Sequence, residues 1–473
     1  MLTTKTTHII GIGGIGMSGI AKLMHYKGLT VQGSNISTNS NVKSLNKLGV
    51  RTFIGHCARN IVGADLLVIS SAICASNPEI IAAKKAGIPV FSRSCIMQEI
   101  TKNHFNICVT GAHGKTSTTA LVFHILKYLR PSLLFGGILN TLKTNAVCGE
   151  SDIMVIEADE SDGTFLNITA NIAIITNIDS EHLDYYGSTQ NIIASFKSYI
   201  VDTLKHNRLV IACIDCDNID YLQTSFTANK NFLTYSLHRA CADLQVFSVK
   251  IHNDKEMYFD IRISNKMREL LSVNKSIIKG LKTTQVASHE LSNLLPSIFT
   301  ALYYNMDVDN INNAISCDLG VDRRFTVLKI HADITFIDDY AHHPKEITVT
   351  LEKATQLLQK NAKLIIIFEP HKYSRLKSLY QEFLNAFKDT KDLIVLDIYP
   401  AGEKEIAGIN TCTFIQDLKN SFKFKAIHGK GVSDISSRIA GVAEAGDIVL
   451  FLGAGAISSI AQKVVDDIVL KLS

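Results

Sequence analysis

Gly111-Ala112-His113-Gly114-Lys115-Thr116-Ser117 sets two glycines, a lysine and two hydroxyls at a spacing suited to gripping phosphate. Glycines let successive backbone N–H groups turn toward phosphate oxygens. The ammonium of Lys115 reaches the terminal phosphates, and the Thr116 hydroxyl can ligate Mg²⁺. Val109 stands where the general Walker pattern wants another glycine, so the turn is a shorter GxHGKT variant. The bland alternative is an ordinary glycine-rich turn. The apolar strand expected at Phe105 to Val109, and the helix expected through Leu121, Val122, Ile125 and Leu126, weigh against it. All seven residues, Gly111 to Ser117, are therefore candidate ATP contacts.

Four carboxylates follow the next apolar run, at Glu157, Asp159, Glu160 and Asp162. Gathered at a strand tip beside a phosphate loop, so many anions call for a cation such as Mg²⁺, although a solvated acidic turn is the competing reading. A further strand, Ile172 to Ile175, ends in a segment carrying His182, whose place after a strand tip is its only distinction.

A second glycine turn, Gly11-Ile12-Gly13-Gly14-Ile15-Gly16, fits the GxGxxG fingerprint of dinucleotide-binding folds. An NAD enzyme places an acid at the end of its second strand to hold the ribose. Here that strand reads Val31-Gln32-Gly33-Ser34-Asn35. The missing acid opposes an NAD-dependent oxidoreductase and leaves the turn free for another diphosphate.

The elements that must position these groups are legible in outline. Short Val- and Ile-rich runs alternate with helical patterns, the rhythm of parallel α/β sheets covered on both faces. At 473 residues about three domains are expected. We read 1–98 as a Rossmann-like domain, 99–319 as a P-loop ATPase-like parallel sheet with a hairpin from Leu244 to Ile263 around Asn253-Asp254, and 320–473 as a second Rossmann-like domain. Net charge is only +4 with no long basic run, so no nucleic-acid or membrane-surface partner is implied. No stretch is long and apolar enough for a membrane span or a signal core, and a cytoplasmic protein is expected. Ten cysteines without framework spacing read as reduced, and the lone Cys213/Cys216 pair as neither zinc site nor redox motif.

In order and spacing, GAHGKTSTT, EADESDGTF and TNIDSEHLDYYG resemble the central domain of the Mur ligases, which build the peptide stem of peptidoglycan. The later segments HELSN (289–293), VDRRF (321–325), DDYAHHP (338–344) and EPHKYSR (369–375) agree, so the resemblance spans nearly the whole chain. It implies a ligase using ATP and Mg²⁺ to form an amide through an acyl phosphate. The N-terminal GIGGIGMSGIA, together with EPHKYSR and DIYPAGE (397–403), implies joining L-alanine to UDP-N-acetylmuramate. The alternative is the recycling ligase that adds a tripeptide to the same nucleotide sugar.

By the same resemblance, Lys115, Glu157, His182 and Arg324 serve catalysis, with Thr116, Glu157 and His182 around the metal. Asn293, Arg324, Asp339 and His342 join the ATP site. Gly13, Gly14, Ile15, Gly16, His56 and Ser71 contact the UDP-sugar, and His371 and Arg375 the amino acid. Two positions depart from the family pattern: Glu290 replaces an asparagine that helps read adenine, and Asn35 stands where aspartate is frequent.

Overall fold

The computed structural model describes residues 5–252, 256–317, 320–422 and 425–472, without the side chains of 184 and 472. Among the described residues three sheets account for the strands. In the first, the order is Arg51–Ile54, Val31–Asn35, Thr7–Ile10, Leu66–Ile69 and Val90–Ser92, all parallel. That is the doubly wound 3-2-1-4-5 arrangement, and it puts the tips of Thr7–Ile10 and Leu66–Ile69 at the point where the strand order reverses, where such sheets bind ligands. The first strand stops at Ile10, because Gly11 takes φ +74° and breaks the extended run.

The second sheet has ten strands. Its parallel centre runs Phe232–Ser236, Leu209–Cys213, Ile172–Ile175, Phe105–Thr110, Ile153–Glu157 and Ser132–Leu139. Strands buried along their whole length, such as Ile172–Ile175 and Leu209–Cys213, need this central position. Leu244–His252 and Glu256–Ile263 pair antiparallel as the expected hairpin, whose turn at Asn253-Asp254 lies outside the described residues. A third antiparallel strand, Ile277–Thr283, extends that edge.

These two sheets belong to one compact unit, Met1–Leu319. One apolar cluster runs from Ile9 and Leu23 to Leu134, Met154 and Ile175. Buried Lys22, on the helix Ile15–Tyr26, reinforces the joint by donating to Asn145 Oδ1 at 2.8 Å, and Asn145 Nδ2 donates back to Ile15 O at 2.6 Å.

Gly320–Ser473 forms the second unit. The expected boundary at Leu319 falls on residues outside the description. Its sheet runs Thr326–His331, Ile334–Asp339, Ile448–Leu452, Leu364–Phe368, Asp392–Val395 and Lys425–His428, parallel apart from the first strand. Apolar clusters cover both faces. Among the described residues no helix is long and apolar enough to cross a membrane.

Candidate active site

The strand Phe105–Thr110 ends directly in the phosphate turn, and the helix Lys115–Ile125 begins as it closes. Gly111 takes φ +132°, and a Cβ there would lie 2.7 Å from the Asn177 carbonyl oxygen, so only glycine fits. The neighbouring strand tip holds the turn in shape: Asn177 Oδ1 accepts from His113 N–H at 2.8 Å, and Thr176 Oγ1 donates to His113 O at 2.7 Å. Gly114, at φ +79°, has Asn293 Oδ1 2.3 Å from where a Cβ would sit, which places Asn293 against the turn. Glu290 accepts from Ala287 N–H at 3.1 Å and so caps the helix that carries Asn293.

Lys115 folds back over the turn. Its Nζ donates to Gly111 O at 2.6 Å, Ala112 O at 3.0 Å and Glu160 Oε1 at 2.9 Å. Burial alone would lower its pKa, but Glu160, Asp159 and Glu157 outweigh that and hold the ammonium charged. Glu157, at the tip of Ile153–Glu157, accepts from Thr116 Oγ1 at 3.0 Å and Gly136 N–H at 2.8 Å, and burial pushes its pKa up against the pull of Lys115. Asp159 and Asp162 face Arg93, whose Nη2 lies 3.1 and 2.8 Å from them. Burial would raise Asp159, yet Arg93 and Lys115 hold it down at about 2.

Glu160 is the acid left over. Burial and Asp159 push it up although Lys115 draws it down, and its Oε2 has no hydrogen-bond partner among the described residues. His182 Nε2 stands 3.6 Å from Glu160 Oε1, and ligand atoms of Glu160, Glu181 and His182 lie within 4.8 Å of one another. A buried carboxylate oxygen with an open lone pair, in a set of hard oxygens and one imidazole, fits a divalent cation such as Mg²⁺.

At the first glycine turn, Asn35 Oδ1 accepts from Gly13 N–H at 3.2 Å, and a Cβ on Gly13 would strike Asn35 at 2.8 Å. Gly14 caps the helix Ile15–Tyr26 with no side-chain hydrogen bond to its N-terminal amides. Gly16 packs against Arg93 Nη1, 3.3 Å from where a Cβ would sit. Ser71 donates to Asp162 Oδ2 at 3.1 Å, so that hydroxyl turns toward the acidic loop. His56 Nδ1 lies 2.9 Å from Ser34 Oγ, beside the buried carboxylate of Glu79.

Burial would push the Glu79 carboxyl up, but hydrogen bonds from His8, Ser34 and Asn60 win and hold it at about 2. A carboxyl depressed on folding stabilises the protein above its ordinary value of 4.5, and that stabilisation is lost as pH falls toward 2. The shift corresponds to roughly 3 kcal/mol. Denaturant titrations should therefore show native stability falling through this window, and Glu79→Gln falling less steeply over it. Parallel curves would refute the assignment.

In the C-terminal unit, Asp339 ends the strand Ile334–Asp339 and accepts from Phe325 N–H at 2.7 Å and Ala341 N–H at 2.8 Å. Burial raises its pKa against the pull of Arg324. Arg324 lies over the Tyr340 ring at 5.4 Å. His342 and His371 meet edge to face at 5.9 Å, and His371 stacks on Tyr399 at 5.4 Å. Arg375 Nη1 donates to His371 Nδ1 at 3.3 Å, and burial with Arg375 and Lys372 pushes His371 down to about 4. Both imidazoles are therefore neutral near pH 7, since burial pushes His342 down too.

Arg93 and Asn177 carry this geometry without having been singled out above, and Glu160 was named only as one of four acids that call for a cation. Asn177 follows a strand tip next to the phosphate strand, a position that could have flagged it. Nothing local distinguishes Arg93.

A phosphate turn with a buried lysine and strand-tip carboxylates, beside a second glycine turn on a doubly wound sheet, defines a nucleotide-dependent α/β enzyme. Three family descriptions match in chain order: "Mur ligase family, catalytic domain" over residues 6–105, "Mur ligase middle domain" over 109–301 and "Mur ligase, glutamate ligase domain" over 323–455. The chain belongs to the Mur ligase family, whose members are ATP-dependent ligases. It is 38% identical to a UDP-N-acetylmuramate–L-alanine ligase of Rickettsia typhi, covering 98% of this chain and 92% of that one, and equally to its Rickettsia felis counterpart, at 98% and 96%. The UDP-N-acetylmuramate-alanine ligase structure from Thermotoga maritima superposes with a TM-score of 0.81 at 27% identity, covering 98% and 99% of the chains. A murein peptide ligase from Psychrobacter arcticus shares the fold, at TM-score 0.70 and 21% identity.

Proposed function

We propose that this protein joins L-alanine to UDP-N-acetylmuramate at the expense of ATP, giving UDP-N-acetylmuramoyl-L-alanine, ADP and phosphate, and that it works in the cytoplasm. The observation that carries the reading is the position of Lys115, buried over the phosphate turn and ringed by Glu157, Asp159 and Glu160. Similarity to alanine-adding ligases along the whole chain supports the substrates.

An amide does not form from a carboxylate in water, because its oxygen is a poor leaving group. Transfer of the γ-phosphoryl group to the lactyl carboxylate removes that obstacle: a carboxylate oxygen bonds to phosphorus and ADP departs. The amine of L-alanine then attacks the acyl carbon, losing a proton as phosphate leaves. Lys115 and the backbone N–H groups of residues 111–117 offset charge on the transferring group. We assign Thr116, Glu157 and His182 to hold Mg²⁺, with Glu160 added by its open oxygen. When bound, the ion neutralises phosphate charge so that two anions can approach. Gly13, Gly14, Ile15, Gly16, His56 and Ser71 are assigned to the UDP-sugar. Asn293, Arg324, Asp339 and His342 go to the nucleotide, and His371 and Arg375 to the amino acid.

Phosphate release should require ATP, UDP-N-acetylmuramate and L-alanine together. Faster release with a tripeptide than with L-alanine would replace this reading by the recycling ligase. Arg375 supplies a cation for the alanine carboxylate, and losing a charge-assisted hydrogen bond of that kind costs about 1.5–3 kcal/mol. The KM for L-alanine should thus rise roughly 10- to 100-fold in Arg375→Ala, with that for ATP unchanged. An unaltered alanine KM would remove Arg375 from the site.

A further inference from the structure

Glu79 has no part in the chemistry above, yet it is a fully buried carboxylate at the heart of the first sheet. Asn77 caps the helix Pro78–Lys85 and accepts from Glu79 N–H at 2.9 Å, which fixes Glu79 in the first turn. One carboxylate oxygen, Oε1, accepts from Asn60 Nδ2 at 2.6 Å and from Cys57 N–H at 3.2 Å, pinning the loop directly after His56. The other, Oε2, accepts from Ser34 Oγ–H at 2.6 Å and lies 3.3 Å from His8 Nε2.

The proton inventory then leaves one solution. Gln32 Nε2, which can only donate, faces His8 Nδ1 at 3.4 Å, so His8 carries its proton on Nε2 and gives it to Glu79. Ser34 has spent its single hydrogen on the carboxylate. The 2.9 Å contact between Ser34 Oγ and His56 Nδ1 must therefore be donated by His56 Nδ1–H. In the neutral ring Nε2 then bears the lone pair. The side chain that carries it is 16% exposed.

We propose that Glu79 is a positioning residue that, through Ser34, fixes His56 in the Nδ1–H tautomer so that Nε2 accepts a hydrogen bond from the bound uridine. The inference rests on the reading that the N-terminal glycine turn holds UDP. In dinucleotide folds an acid at the tip of the second strand accepts from the ribose. This chain has Ser34 and Asn35 there, and it supplies the acceptor from an imidazole with the carboxylate set behind it. The donor is an N–H or O–H of the nucleoside, the shared chemistry of uracil N3–H and a ribose hydroxyl. Cytosine, whose N3 is itself an acceptor, would be rejected if the base is the donor.

Full-length protein with ¹⁵N-labelled histidine, compared with His56→Gln to assign the resonance, reads the tautomer directly. In the neutral ring a protonated Nδ1 and an unprotonated Nε2 are expected, and the Nε2–H tautomer would overturn the wiring without any variant having to fold. In Glu79→Gln the tautomers should mix, and the KM for UDP-N-acetylmuramate should rise about tenfold, the worth of one hydrogen bond, with kcat and the KM for ATP unchanged. A folded Glu79→Gln protein with unaltered KM would refute the role. UDP analogues methylated at uracil N3 or lacking the ribose 2′-hydroxyl separate the two donors: the one that matters loses affinity in the native protein and little in Glu79→Gln. Failure of UDP itself to bind, with the Nδ1–H tautomer intact, would sink the ligand reading and not the wiring.

Discussion

Lys115→Ala is expected to lower turnover at saturating ATP by about 10²- to 10³-fold, the usual loss when one preorganised donor to a charged transition state is deleted. The ammonium is buried, stays charged because Glu160, Asp159 and Glu157 outweigh the cost of burial, and already lies within hydrogen-bond distance of two carbonyls of the phosphate turn. Nucleotide phosphates would exchange for those carbonyls without new desolvation. Lys115→Arg should recover little, since a planar guanidinium fork cannot replace a compact ammonium reaching Gly111 O, Ala112 O and Glu160 at once. Lys115→Ala also removes the cation that faces Glu157 and Glu160, while Asp159 keeps Arg93, so it should unfold at lower denaturant than the native chain. Turnover within tenfold of native, measured as phosphate release, would remove Lys115 from the chemistry and with it the proposed function.

Glu157→Gln should cost about 10² in kcat and shift the Mg²⁺ dependence to higher concentration, because a coordinated cation is worth several kcal/mol to phosphoryl transfer. The substitution keeps the shape: the amide oxygen can still accept from Gly136 N–H, while the amide N–H donates to Thr116 Oγ1 and reverses that bond, so what is lost is charge and one acceptor oxygen. Partial recovery in excess Mg²⁺ separates loss of a metal ligand from loss of structure. A native Mg²⁺ titration curve with reduced kcat would move the ion toward Glu160, Glu181 and His182.

How far the site could be read before the fold was known depended on whether its parts were contiguous. The turn from Gly111 to Ser117 was legible because its chemistry is local: glycine torsions, a strand before it and a helix after it. Among four acids in six residues, nothing local says which one meets the lysine, since the chain beyond Glu157 leaves the strand and no side-chain period applies. The fold sends Asp159 and Asp162 to Arg93 and leaves Glu160 for Lys115. The strand Ile277–Thr283 escaped notice for a similar reason, as an edge strand with three of its seven residues exposed shows little apolar pattern.

By itself the sequence determined where the chain turns, which runs are strands buried on both faces, and where two glycine turns of phosphate-binding pattern stand. It also excluded a ribose-binding acid at the second strand tip. Tertiary structure alone decided that Thr176 and Asn177 brace the phosphate turn, that Glu160 keeps an open oxygen beside His182, and that Glu79 reaches His56 through Ser34. Those pairings follow from strand order. A sheet brings together tips that are 40 to 70 residues apart in the chain, as Glu160 lies 45 from Lys115 and His113 lies 64 from Asn177. Which tips become neighbours is set by how the crossovers pack, not by any local preference of the residues they carry.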